Sequence, residues 1–181
     1  MIITAGIYKG RKLYAPSSSI TRPTLSKVRM GVFNSLYSIL GDFSGKTFLD
    51  LFGGSGIMGL EALSRGFESV DVYEINRSAA EIIKKNYGLL GIKPNLTIGD
   101  SLKLLDKTDK IYDVIYVDPP YESGIYEKIL PKLGGKSGGG KSAQRGKYII
   151  AEHTKPINHE NYKLLKQKNY GGKLVSILVA E

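Results

Sequence analysis

The chain has 181 residues, enough for one domain with a full core and too few for two ordinary ones. Its 41% hydrophobic and 24% charged residues exclude a disordered chain, and the lack of cysteine excludes disulfides, iron–sulfur clusters, thiolate zinc sites and thiol nucleophiles. Twenty-six Lys and Arg against 17 Asp and Glu leave a net charge of +9, which directs attention to an anionic partner such as nucleic acid.

Residues 1–19, MIITAGIYKGRKLYAPSSS, alternate apolar and polar positions around Gly6 and Gly10, a pattern that predicts a β-hairpin ending in a loop at Pro16 to Ser19. The stretch TLSKVRMGVFNSLYSIL then carries Leu25, Val28, Val32, Leu36, Ile39 and Leu40 at helical spacing, with Thr24 or Ser26 as its expected cap. Gly31 inside that helix costs about 1 kcal/mol relative to alanine. After Gly41 strands and helices alternate. TFLDLF, SVDVYEI, NLTIGD, YDVIYVD and KYIIAEH read as strands, separated by helices over GLEALSRG, RSAAEIIKKNYGLLG, a short run from Ser101, and GIYEKILPKL. The end, YKLLKQKNYGGKLVSILVAE, reads as a closing hairpin. Repeated βα units of this length predict an α/β fold: a seven-stranded, mostly parallel sheet with helices on both faces.

Ligands of such sheets sit outside the carboxyl ends of the strands. Asp50, Glu74, Asp100 and Asp118 each fall at or near such an end, so one crevice is expected to collect all four. Taken singly, an acid after a strand is more often a helix cap or turn former; four in successive units favour a site. The loop in FLDLFGGSGIMGLEAL places Gly54, Gly56 and Gly59 in the G-x-G-x-x-G pattern between a strand and a helix, the context of a nucleotide-type cofactor. Asp50 discriminates between cofactors. Its carboxylate repels a pyrophosphate and attracts the cationic amino group of S-adenosylmethionine, which predicts a methyl-donor site. Glu74 is then expected on the ribose hydroxyls, and Asp100 with Ser101 on the adenine edge. Phe52 and Ile75 complete the expected cofactor set, which Asp118 also borders.

GKSGGGKS, residues 135–142, matches the letters of a Walker A loop. A phosphate loop needs a strand before it and a helix after it, and here a helix precedes and a strand follows, so the match is read as chance in a Gly/Lys/Ser-rich loop.

YVDPPYESG leaves the core through a stiff corner. Pro119 and Pro120 fix the backbone, Asp118 and the Pro119 carbonyl make two acceptors suited to one NH₂ group, and Tyr121 offers a face on which a base stacks. The chemistry expected of this corner is direct methyl transfer to an amino group held in line, without a covalent intermediate. The absence of a thiol argues against carbon-5 pyrimidine methylation.

DPPY together with LDLFGGSGIMGLEALSRG resembles the exocyclic-amino methyltransferases. Adding GIYKGRKL, RPTLSKVRMGVFNSL, YEIN, IIAEH and KNYGGKLVSIL, nearly the whole chain is similar to the RsmD family. That resemblance implies a Rossmann-like class I methyltransferase using S-adenosylmethionine on the N2 amino group of a guanine in small-subunit ribosomal RNA, usually within a ribosomal particle. It also implies an RNA-facing extension over residues 1–41 and a methyltransferase domain over 42–181. Lys9, Arg11, Arg22, Pro23, Thr24, Arg29 and Asn34 would meet the RNA, the base being turned into the Asp118–Tyr121 pocket. Residues 1–41 carry six basic side chains and no acid, and residues 128–151 likewise lack an acid, a distribution suited to phosphate contact. Met30-Gly31 departs from the family's usual acid followed by a small apolar residue, and so does the Gly-rich 134–146 stretch from its usual helix.

Three other readings compete: the same chemistry on adenine N6 in RNA or DNA, an NAD-dependent dehydrogenase, and a non-catalytic RNA-binding protein. No apolar run nears the roughly 18 residues of a membrane span and no signal-peptide core opens the chain, so a cytoplasmic protein is expected. Two histidines and no cysteine predict no metal site.

Overall fold

The computed structural model describes residues 1–15, 25–120, 124–134 and 146–180. Arg22, Pro23, Thr24, Tyr121, the hairpin loop at 16–19 and the Walker-like stretch lie outside these residues. The described chain forms α1 (Ser26–Leu40), β1 (Thr47–Asp50), α2 (Ile57–Ser64), β2 (Ser69–Glu74), α3 (Arg77–Gly88), β3 (Asn95–Ile98), α4 (Ser101–Leu105), β4 (Tyr112–Val117), α5 (Ile125–Leu133), β5 (Gly146–His153), β6 (Tyr162–Asn169) and β7 (Leu174–Ala180).

The seven strands make one sheet in the order β3-β2-β1-β4-β5-β7-β6. β1 to β5 pair in parallel, while β7 runs antiparallel to both β5 and β6. The order reverses between β1 and β4, and that reversal opens a crevice at the carboxyl ends of the two strands. The buried strands are near-continuous apolar runs, as sheets covered on both faces require. One face packs Phe48, Val72, Val114, Tyr116, Ile150 and Ile177 against α1, α2 and α3, whose contributions include Val32, Leu60 and Ile83. The other packs Leu49, Ile115, Val117 and Ile149 against α4 and α5 through Leu105, Ile129 and Leu133. Ile3, Leu13, Val28 and Leu36 belong to the first of these cores, so the described parts of residues 1–41 share a core with the sheet.

Two local expectations are corrected, and a third gains a reason. The N-terminal hairpin is reduced to a single antiparallel bridge between Ile2 and Lys12. Between them the chain turns against α2: the Ser64 carbonyl and hydroxyl accept from the Ile7 and Tyr8 N–H groups, which diverts the backbone from strand pairing. Ser26 does not cap α1; the cap position is Leu25, and the Ser26 hydroxyl instead accepts from Arg29 at 3.1 Å. Gly31 has a packing reason, because a Cβ there would lie 1.8 Å from the Tyr170 hydroxyl. The missing side chain lets the sheet edge close on the helix.

Candidate active site

Strand register puts the acids in a row. Asp50 ends β1, Glu74 ends β2, Asp118 follows β4, Asp100 follows β3, and Glu152 stands one residue before the end of β5. Adjacent strands are about 4.8 Å apart, so five neighbouring parallel strands each deliver one carboxylate to the same rim. Asp50, Glu74, Asp118 and Glu152 also share a face, because each lies two residues beyond a side chain of the α1–α3 core: Phe48, Val72, Tyr116 and Ile150.

Asp50 is buried, and its Oδ1 accepts from the Phe52 N–H at 3.3 Å. Its pKa is pushed up to about 8, first by burial and then by the neighbouring Asp118, Glu74 and Glu152 carboxylates, against the Phe52 hydrogen bond. Glu74 uses both carboxylate oxygens as a clamp: Oε2 accepts from Gly54 N–H and Oε1 from Asn76 N–H, each at 2.7 Å. The glycine loop is therefore anchored to β2 by the same group that was expected to meet a ribose. Gly56 caps α2 with φ 77°, a left-handed conformation that side chains rarely adopt. Gly53 fills a different need, since a Cβ there would lie 2.4 Å from Val72 Cγ1. Asn76 caps α3 by accepting from the Ser78 and Ala79 N–H groups.

Asp100 caps α4, its Oδ1 accepting from Leu102 and Lys103 N–H, and the buried Ser101 hydroxyl donates to the Leu51 carbonyl. Both residues thus sit on the rim with these atoms committed to the scaffold. Ile75 is 64% exposed beside the Glu74 clamp, an apolar surface available to a flat ligand. Phe52 is half-buried, Pro119 is buried and Pro120 is exposed.

Two residues escaped the sequence reading. Lys173, just before β7, pairs with Asp118 Oδ2 at 3.1 Å and with Glu152 Oε2. The Tyr116 hydroxyl donates to Glu152 Oε1, and the Tyr126 hydroxyl donates to the backbone carbonyl of Glu152 at 2.6 Å and of Val117 at 3.0 Å. Burial opposes the Lys173 ammonium, but Asp118 and Glu152 outweigh it and raise its pKa. Lys173 therefore stays protonated at neutral pH. A signal existed for Glu152: an acid inside the apolar run YIIAEH belongs at the end of a parallel strand. Lys173 lies in the turn of an antiparallel hairpin, just before β7, and only the fold brings it to the rim.

The RNA-facing set divides. Arg29 is a correction: it is 2% exposed, its Nε donates to Glu61 Oε1 at 3.0 Å and its Nη2 to the Ile2 carbonyl at 2.7 Å. Buried and bound to the N-terminal segment, it has no access to phosphate. Lys9, Arg11 and Asn34 are exposed. Lys9 is next to the turn that docks on Ser64, at the end of α2 opposite the glycine loop. Among the described residues, no group of His, Asp and Glu could hold a metal ion, and no helix is long and apolar enough to cross a membrane.

Comparison with known proteins gives consistent matches. Residues 1–179 match the family described as conserved hypothetical protein 95. The chain is 32% identical over 171 residues to the ribosomal RNA small subunit methyltransferase D of Buchnera aphidicola subsp. Acyrthosiphon pisum, covering 92% of this chain and 86% of that one. Identity to the Haemophilus influenzae protein of the same name is 32% over 175 residues, covering 93% and 88%. The solved structure of the Escherichia coli protein yhhF superposes with a TM-score of 0.84 at 26% identity, covering 100% of this chain and 98% of that one.

Proposed function

The chain belongs to the conserved hypothetical protein 95 family, the RsmD family, and from that premise we propose that it methylates the N2 amino group of a guanine in small-subunit ribosomal RNA with S-adenosylmethionine as donor. The observation that carries this reading is the charge imbalance of the crevice. Asp50, Glu74, Asp118 and Glu152 line one rim, and among the described residues Lys173 is the cation paired there. Such a site favours a ligand carrying positive charge and repels a pyrophosphate, which separates it from a dinucleotide site.

When bound, S-adenosylmethionine supplies an electrophilic methyl on a cationic sulfur. Asp50 would release its proton on meeting the amino group of the methionine portion, since an adjacent cation favours the carboxylate. Each Glu74 oxygen retains a lone pair beyond its N–H contact, so one group positions both the loop and the ribose hydroxyls. Ile75 and Phe52 would flank the adenine, with Asp100 and Ser101 at its edge.

Across the switch point, Asp118 and the Pro119 carbonyl would hold the hydrogens of the guanine amino group, with Tyr121 stacked on the base. Lys173 pairs with Asp118 Oδ2 and holds it at the crevice, and the Asp118 carboxylate would accept the proton that the nitrogen loses as the new N–C bond forms. Pro120 stiffens the corner that holds these acceptors. Small-subunit particles or their assembly intermediates in the cytoplasm are the proposed substrate.

The test is transfer of labelled methyl to unmethylated small subunits, to naked ribosomal RNA and to duplex DNA, followed by nucleoside analysis. N2-methylguanosine in the RNA is the expected product. N6-methyladenine on any substrate would overturn the guanine assignment.

A further inference from the structure

β6 is an edge strand of the sheet, and its sequence YKLLKQKN carries Lys163, Lys166 and Lys168. Positions 163, 166 and 168 would divide between the two faces of a regular strand, because successive side chains alternate. They do not divide here. The pairing shifts register between Leu164 and Lys166, so that Lys163 stands opposite Val179, Lys166 opposite Ile177 and Lys168 opposite Val175. Those three β7 residues are two apart and share one face, that of Ile150, Val175 and Ile177 in the core under α1. The bulge thus gathers the lysines into one row. Tyr170, two residues beyond Lys168, reaches Gly31 of α1 and marks the same face independently.

The row also points at the active site. Through register, Lys168 pairs with Val175, Val175 with Glu152, and Glu152 stands beside Asp118 one step past the Val117–Ala151 pair. Three strand spacings put Lys168 about 14 Å from Asp118, and the row then runs about 13 Å down the edge to Lys163. The facing stripe of α1, spaced with Gly31 at helical intervals, is Lys27, Asn34 and Ser38, all exposed and none acidic. None of the three β6 lysine side chains has a hydrogen bond or ion pair among the described residues.

We propose that this lysine row on β6, flanked by the exposed Lys27–Ser38 stripe of α1, is the surface track for the phosphodiester backbone of the RNA substrate, with Lys163, Lys166 and Lys168 on consecutive phosphates and Lys168 at the end nearest the crevice. The inference rests on the RNA reading above and specifies where the RNA lies. An edge strand needs charge only to deter pairing with another chain, and lysines on either face would do that. A bulge protects an edge in the same way wherever it falls, so the feature that a linear polyanion accounts for is the shared face of the three lysines.

The experiment uses the full chain with K163E, K166E and K168E combined, and a control with K93E, K103E and K107E at the opposite side of the sheet, where all three lysines are exposed. Affinity for naked small-subunit ribosomal RNA is measured against salt, with S-adenosylmethionine binding and thermal midpoint as checks of folding. Each phosphate contact contributes about 0.7 to 0.9 to the slope of log affinity against log salt, so the β6 variant should lose about 2 to 3 from that slope. The control should lose less than 1, and cofactor binding should not change in either. A K163Q, K166Q and K168Q variant, which removes charge without reversing it, should give the same loss. Equal losses in β6 variant and control, or no loss in either, would overturn the track. If the wild-type protein methylates RNA while the β6 slope is unchanged, only this inference fails; if the wild type neither binds nor methylates RNA, the proposed function fails with it.

Discussion

Arg29, Glu61 and Arg65 beneath the N-terminal segment, and Asp118, Glu152 and Lys173 at the carboxyl end of the sheet, are both ion clusters built round a buried glutamate, but their charge ratios are reversed. In the first, one carboxylate meets two guanidinium groups as well as the Thr4 N–H and hydroxyl, and Arg29 spends a further donor on the Ile2 carbonyl. Arg65 lies over the Phe33 ring at 4.4 Å, which fixes it further. In the second, one ammonium serves two carboxylates, with Asp50 and Glu74 adding to the acidity. Among the described residues, the cluster with more cations than carboxylates is tied into the scaffold, and the one with the opposite ratio favours a cationic ligand.

If that contrast is right, breaking each cluster should be read by a different instrument. Arg29→Met leaves Glu61 short of a partner in the core and should lower stability by about 3 to 5 kcal/mol, measured by urea denaturation, while turnover per folded molecule is preserved. Asp118→Ala should reduce methyl transfer by about 10² to 10³-fold with cofactor affinity, by calorimetry, nearly unchanged. A large loss of cofactor binding instead would place Asp118 wrongly. Asp50→Asn should do the opposite, weakening the cofactor while stabilising the fold. The sign follows from linkage: the folded Asp50 holds its proton up to about pH 8 while the unfolded one releases it near 4, so its contribution falls as pH rises across that window. Asparagine removes that slope, and the gain at pH 7 should be on the order of 2 kcal/mol once the cost of a buried amide is subtracted. The smallest effect belongs to Lys173→Met, which leaves Asp118 and Glu152 to repel each other. The acid limb of the pH–rate profile should move upward, and Lys173→Arg should restore it.

The fold was legible because its signals are local. Alternating apolar runs and glycine-marked turns located every strand of the sheet, and the positions of Asp50, Glu74 and Asp118 followed from where those strands end. What was misread depends on distance along the chain. Arg29 looks like a phosphate ligand in a stretch without acids, yet its partner Glu61 comes 32 residues later on another helix. The apolar-polar alternation of residues 1–13 is real, but docking on Ser64 outcompetes strand pairing. Lys173 is 55 residues from Asp118, and no pattern in one strand reports the neighbour that an antiparallel hairpin will supply. Glu74 shows a subtler gap: its place at the rim follows from the sequence, but its grip on Gly54 appears only in three dimensions.

Gly31 and Tyr170 occupy what is in effect a single volume: the space a side chain at 31 would take is already held by the tyrosine hydroxyl. Two positions that share one space cannot drift independently through evolution. In relatives where residue 31 regains a side chain, residue 170 should become smaller or its ring should swing aside, so the two sites form a coupled pair across 139 positions of sequence. Helix α1 and the turn that follows the lysine-bearing strand would then be constrained to change together.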